Sequence, residues 1–151
     1  MRIRAAQARD RDTMFEVWWR SVTATHDFVT AGDLQAFRPM VREYLASSAS
    51  TFLVLETAHG DMAGFIGLSG NHVDALFLSP EHRGLGGGSA LLAHARSLRG
   101  TLTVDVNEQN TSACRFYAAR GFVVTGRSEL DGRGRPYPLL HLHLGIEAQS
   151  R

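Results

Sequence analysis

Apolar positions recur along this chain with two periods, and the places where the period changes mark its elements. Met14, Phe15, Val17, Trp18 and Val22 form one stripe at helical spacing, with Asp10 or Asp12 positioned to cap the helix that carries it. Trp18 and Trp19 are adjacent and cannot share a face, so one lies over the core and the other over a neighbouring element or cleft. Leu34, Phe37, Val41, Tyr44 and Leu45 mark a second helix over roughly residues 31 to 45, which Pro39 should kink or divide. Ile3, between Arg2 and Arg4, suits a short first strand. From Thr51 the pattern turns β-rich. The runs 51 to 56 and 63 to 68 form a hairpin around His59-Gly60-Asp61, and Ser69-Gly70-Asn71 turns the chain into Val-Asp-Ala-Leu-Phe-Leu, residues 73 to 78, read as a buried central strand. Strands two to four are therefore an antiparallel meander.

After the central strand come Ser79-Pro80-Glu81-His82 and Arg83-Gly84-Leu85-Gly86-Gly87-Gly88-Ser89. A helix follows, with Leu91, Leu92, Ala95 and Leu98 on one face and Arg99-Gly100 at its end, and Leu102 to Val106 begins another strand. Strand, helix, strand in that order forces a parallel crossover, so the sheet is mixed. Thr111 to Arg120 reads as a helix with Ala113, Phe116 and Tyr117 at i, i+3, i+4 spacing, ended by Gly121. Two strands, 122 to 130 and 139 to 144, close the chain around the turn Asp131-Gly132-Arg133-Gly134. The expected fold is α/β, with a central mixed sheet of roughly six to seven strands flanked by about four helices. With no internal repeat, low-complexity tract or linker, residues 1 to 151 are expected to form one domain. Ligands of open α/β sheets sit outside the carboxyl ends of the strands, here near Leu78 and Val106.

The glycine run is the strongest chemical signal. Glycines at 84, 86, 87 and 88 weaken a helix start, and one common purpose is close backbone approach to an anion at a positive helix end. A Walker A loop needs a lysine, and the chain contains none. A dinucleotide fingerprint counted from Gly84 or Gly86 puts Ser89 or Leu91 where its third glycine belongs. Arg-x-x-Gly-x-Gly fits at Arg83, Gly86 and Gly88. That pattern resembles the acetyl-coenzyme A pyrophosphate loop of the GCN5-related N-acetyltransferases, the GNAT family. Asn107, Asn110, Ala113, Phe116-Tyr117 and Gly121-Phe122 resemble the family's second motif, in the right order and on the expected helix. The wording at Asn71, Ala75-Leu76-Phe77, Asp105 to Asn110 and Gly126 to Gly132 is similar to a bacterial branch of that family associated with protein lysine acetylation.

The resemblance implies acetyl transfer from acetyl-CoA to a primary amine by direct attack in a ternary complex, with a protein lysine side chain as the favoured acceptor. By the same resemblance the backbone of Leu76, Phe77 and Leu78 would pair with the pantetheine arm, and Arg83, Gly84, Leu85, Gly86, Gly87, Gly88 and Ser89 would hold the pyrophosphate. Asn110 would also bind the cofactor, and Tyr117 would protonate the departing thiolate. His72 looks like the family's base position; an amine of pKa about 10.4 must lose a proton before it attacks, and an imidazole is suited to take it directly or through water. Glu108 and His26 are fallbacks for that base. His26, Phe28 and Asn107 are candidate acceptor-binding residues. A small-molecule amine or antibiotic is the alternative acceptor, and a non-catalytic acyl-CoA sensor is the alternative from another class. Retention of Tyr117 favours the enzyme, because binding alone needs no acid.

Other features narrow the field. The net charge is +1 with both signs interspersed, so neither nucleic acid nor an anionic membrane is an expected partner. With no long apolar segment, no signal-like apolar core at the N-terminus and a single cysteine, the expected location is the bacterial cytoplasm, as a monomer or homodimer. The absence of lysine also excludes self-acetylation of a lysine side chain. His141 and His143 share a strand face but lack further spaced ligands, so no metal is expected. Cys114 reads as a small hydrophobe and Phe116 as core.

Overall fold

The structure, a computed structural model, describes residues 1 to 25 and 28 to 145. Its elements in order are β1 (Arg2–Ala5), α1 (Arg11–Thr25), α2 (Ala31–Ala46), β2 (Thr51–Glu56), β3 (Met62–Ser69) and β4 (His72–Leu78), then α3 (Gly87–Arg99), β5 (Leu102–Asn107), α4 (Thr111–Ala119), β6 (Val123–Ser128) and β7 (Leu139–Leu144). The seven strands form one mixed sheet in the order β1-β2-β3-β4-β5-β7-β6. β4 and β5 are its parallel pair, as the strand, helix, strand order requires, and β7 returns between β5 and β6.

Alternation along the strands fills two cores. Leu53 and Leu55 of β2 point to one face, where they meet Leu91, Leu92 and Ala95 of α3 and Tyr117 of α4. Val54 points to the other, where it joins Phe65, Ala75 and the α1 stripe of Met14, Phe15, Val17, Trp18 and Val22. Trp18 is the buried member of the tryptophan pair; Trp19 is half-buried, with the Arg38 guanidinium 4.5 Å from its ring centroid.

Three expectations change. α2 runs through Pro39 without a break, because Pro39 lies on the exposed face, where water can take up the carbonyl that the missing N–H leaves free. α3 starts inside the glycine run, at Gly87. Asp10 does not cap α1 from in front: it ends a 3₁₀ turn (Ala8–Asp10) that leads into α1, and its carboxylate accepts the Gln7 N–H at 2.7 Å.

Asp10 also accepts both terminal nitrogens of Arg4 at 2.9 Å, while Arg4 Nε donates to Glu56 at 3.0 Å, tying β1, β2 and the start of α1 together. The Arg4 hydrogen bonds, helped by the Gln7 N–H, hold the Asp10 carboxyl down at about 2. A depressed carboxyl stabilises the fold above its unfolded pKa of about 4 and loses that contribution as pH falls toward 2, on the order of 2 kcal/mol here. Asp10→Asn is expected to lower urea-unfolding stability at pH 7 by about that amount, and the gap from wild type should shrink between pH 4 and pH 2.

Candidate active site

The cleft follows from the parallel pair. β4 and β5 are in register only at His72 with Thr103 and Val73 with Val104; beyond these the strands part. Residues Ala75 to Leu78 keep β3 on one edge and lose β5 on the other, so that edge faces a cavity of about 930 Å³. The parting also corrects the reading of β4 as a fully buried strand. Val73 and Ala75 are buried, but Leu76, Phe77 and Leu78 are half-buried because they form the cleft wall.

The glycines at the mouth serve two separate needs. Gly84 and Gly86 have φ of 78° and 85°, a backbone region that suits glycine. Gly87 and Gly88 are buried in the first turn of α3 for lack of room. A Cβ on Gly87 would stand 2.7 Å from Leu55 Cδ2 and 2.9 Å from Leu78 Cδ1, and one on Gly88 would stand 3.0 Å from Phe116 Cζ. Their positions bring α3 close against the sheet. The first intrahelical bond runs from the Ala90 N–H to the Gly86 carbonyl at 3.0 Å, so the helix leaves the N–H groups of Gly87, Gly88 and Ser89 unpaired. These residues, with Arg83, Gly84 and Gly86, line the cleft, whereas Leu85 projects into solvent at 64% exposure and is not part of the wall.

α4 supplies the opposite wall. The Asn110 amide oxygen accepts the Ala113 N–H at 3.1 Å and so caps α4, and Asn107, Asn110 and Tyr117 all line the cleft. Tyr117 is buried between the rings of Phe116 and Phe122, with centroids 5.1 and 5.2 Å away in edge contacts. Among the described residues its hydroxyl has no hydrogen-bond partner, and burial pushes its pKa upward.

His72 stands at the closed end of the β4–β5 pair, beside the cleft wall but not in it. Its Nδ1 lies 2.6 Å from Thr103 Oγ1 and its Nε2 3.6 Å from an Asp105 oxygen. The other Asp105 oxygen lies 2.6 Å from His141 Nδ1, and His141 Nε2 lies 2.7 Å from Ser128 Oγ. Asp105 itself lines the cleft. The sequence reading missed this carboxylate, although its alternation with Val104 and Val106 puts it on the face opposite the α3 core. His143 contacts Thr125 at 2.9 Å, and among the described residues no group of three or more histidines, cysteines or carboxylates is arranged to hold a metal ion.

The remaining candidates separate. Glu108 is tied to Arg127 at 2.8 and 2.9 Å, which lowers its pKa and makes it a weaker proton acceptor. Phe28 lies away from the cleft wall, edge-on to buried Tyr137, with ring centroids 6.3 Å apart. The Tyr137 hydroxyl donates to Asp33, which also accepts Arg135 Nε at 3.2 Å, so the loop before β7 is tied to the start of α2. His26 lies outside the described residues, as does Asp27. Burial raises the Cys114 thiol pKa, and its Sγ is 3.7 Å from the Asn107 carbonyl. The second missed cleft residue is Arg120, four residues after Phe116 and stacked on its ring with Cζ 3.9 Å from the centroid; the i, i+4 spacing is the signal that could have found it. No helix among the described residues is long and apolar enough to cross a membrane.

The mixed sheet thus parts at its parallel pair into a cleft with an anion-ready helix start at one end and, among the described residues, an unpartnered tyrosine hydroxyl along the wall. Residues 25–136 match the acetyltransferase (GNAT) domain, and the chain belongs to that family as an acetyl-CoA-dependent N-acetyltransferase. It is 44% identical over 140 residues to the peptidyl-lysine N-acetyltransferase YjaB of Escherichia coli K12, covering 93% of this chain and 94% of that protein. The YjaB of Salmonella typhimurium is 43% identical over 140 residues, covering 93% of this chain and 95% of that protein. The solution structure of apo-form Escherichia coli YjaB superposes with a TM-score of 0.87 at 42% identity, over 94% of this chain and 95% of that one. The PaiA N-acetyltransferase of Thermoplasma acidophilum, solved in complex with coenzyme A, shares the fold at a TM-score of 0.73 and 21% identity, over 95% of this chain and 98% of that one.

Proposed function

We propose that the acceptor is the ε-amine of a protein lysine, acetylated by direct attack on acetyl-CoA bound in the β4–β5 cleft. The observation that carries this reading is the 44% identity, over nearly the whole of both chains, to a relative named as a peptidyl-lysine N-acetyltransferase. The open edge of β4 supports a pantetheine arm laid along Leu76 to Leu78 as an added strand, and the unpaired N–H groups of Gly87 to Ser89 support a pyrophosphate at the start of α3. In the reaction the lysine ammonium first loses a proton. Its nitrogen then attacks the thioester carbon, the C–N bond forms, the C–S bond breaks, and sulfur leaves with the electron pair. Tyr117 gives sulfur its proton and regains one from the new amide nitrogen. His72 receives the first proton through Asp105 or a water at the cleft edge and passes it to solvent.

The experiment is acetylation of lysine-containing peptides by the full chain with acetyl-CoA, read by mass spectrometry with spermidine and an aminoglycoside as competing acceptors. The chain has no lysine, so self-acetylated side chains cannot contaminate the signal. Acetyl-lysine on the peptides is the expected product, with His72→Ala lowering the rate about tenfold or more and leaving coenzyme A affinity unchanged. Acetylation of the small amines alone would overturn the lysine assignment and keep the transferase.

A further inference from the structure

We propose that Arg120, from the end of α4, is a phosphate-binding residue for the cofactor, a cation supplied to the glycine loop from outside it. This rests on the loop being the cofactor's anion site.

The guanidinium is held on three sides. Arg120 Nε donates to Ser89 Oγ at 2.7 Å, Nη1 donates to the Phe116 carbonyl at 2.9 Å, and the plane lies 3.9 Å over the Phe116 ring. Phe116 in turn sits against Gly88, where even a methyl group would come within 3.0 Å of the ring. The stack of Arg120 on Phe116 on Gly88 therefore lays the guanidinium across the first turn of α3, beside the unpaired N–H groups. A guanidinium carries five N–H donors, and these two bonds leave the remainder, including both on Nη2, without an acceptor among the described residues.

Charge points the same way. Arg4, Arg20, Arg127 and Arg135 each pair with a carboxylate, but among the described residues neither Arg83 nor Arg120 does. Glu81, the acid closest in sequence to the loop, is taken by Arg20 at 2.6 Å. Two unneutralised guanidinium groups thus line one end of the cleft. Coenzyme A brings a pyrophosphate and a 3′-phosphate there, more negative charge than the partial positive charge of a helix end balances. A planar fork already fixed by a ring and two hydrogen bonds meets a phosphate with little further loss of side-chain freedom.

The test is calorimetric titration of the full chain, wild type, Arg120→Gln and Arg120→Lys, with coenzyme A, dephospho-coenzyme A and pantetheine. Arg120→Gln is expected to weaken coenzyme A binding about tenfold or more, Arg120→Lys by less, and neither should change pantetheine binding. Equal loss with coenzyme A and dephospho-coenzyme A identifies the pyrophosphate as the partner; loss confined to coenzyme A identifies the 3′-phosphate. Unchanged coenzyme A affinity in Arg120→Gln, or an equal loss with pantetheine, overturns the proposal. Wild type that binds neither nucleotide form would overturn the reading of the loop itself, a separate failure.

Discussion

Tyr117→Phe is expected to lower kcat for acetyl transfer by about 10² to 10⁴ while coenzyme A affinity and the unfolding midpoint stay close to wild type. The ring is held by edge contacts with Phe116 and Phe122, which phenylalanine retains, and the hydroxyl has no protein partner among the described residues, so its removal orphans nothing. What is lost is a proton donor in the cleft wall. Between free groups the transfer runs uphill, from a phenol of pKa about 10 to the thiolate of a thiol near 8.5. In the proposed role the hydroxyl would therefore act as charge develops on sulfur, where a positioned donor is worth most. Because burial raises the Tyr117 pKa, the acid form persists through neutral and mildly alkaline pH. The rate should show no fall from Tyr117 ionisation below about pH 10, which a pH–rate profile checks directly. An unchanged kcat in the variant would transfer the role of acid to water.

Gly86→Glu is expected to abolish measurable coenzyme A binding, a loss of about a hundredfold or more. Gly86 has φ of 85°, and a Cβ there would meet nothing within 4 Å, so any side chain strains the backbone without a clash. That strain is on the order of 1–2 kcal/mol and is shared by Gly86→Ala. The carboxylate adds repulsion of the cofactor phosphates at the helix start. Calorimetry on the two variants separates the effects: alanine should bind weakly, glutamate not at all. Equal affinities would mean that the loop binds through shape alone.

Much of this was legible in the sequence because it is local. The α1 stripe, the hairpin turns and the order β4, α3, β5 are written in neighbouring residues, whereas the unbroken apolar run of β2 did not show that its side chains divide between two cores. The glycine run was legible as a loop, but its division of labour was not. Whether Gly87 and Gly88 are small to admit a ligand or to admit Leu55, Leu78 and Phe116 depends on contacts from distant strands and another helix. The parting of β4 from β5 was hidden for the same reason: Leu76-Phe77-Leu78 has the composition of a buried strand, and register with β5 decides that it walls a cleft. The Thr103–His72–Asp105–His141–Ser128 chain joins residues from four strands, which no spacing rule brings together. Pro39 does not divide α2 because a helix breaker matters less on an exposed face than the burial of the opposite one.

The most direct test of the account is a single assay that follows acetyl transfer from acetyl-CoA to a lysine peptide for wild type and Tyr117→Phe in parallel, with cofactor affinity measured on the same samples. Acetyl-lysine is expected from the wild type, with a loss of about a hundredfold or more in the variant and equal affinity for coenzyme A. Equal rates in the two proteins, or no acetyl-lysine from a wild type that binds the cofactor, would contradict the account.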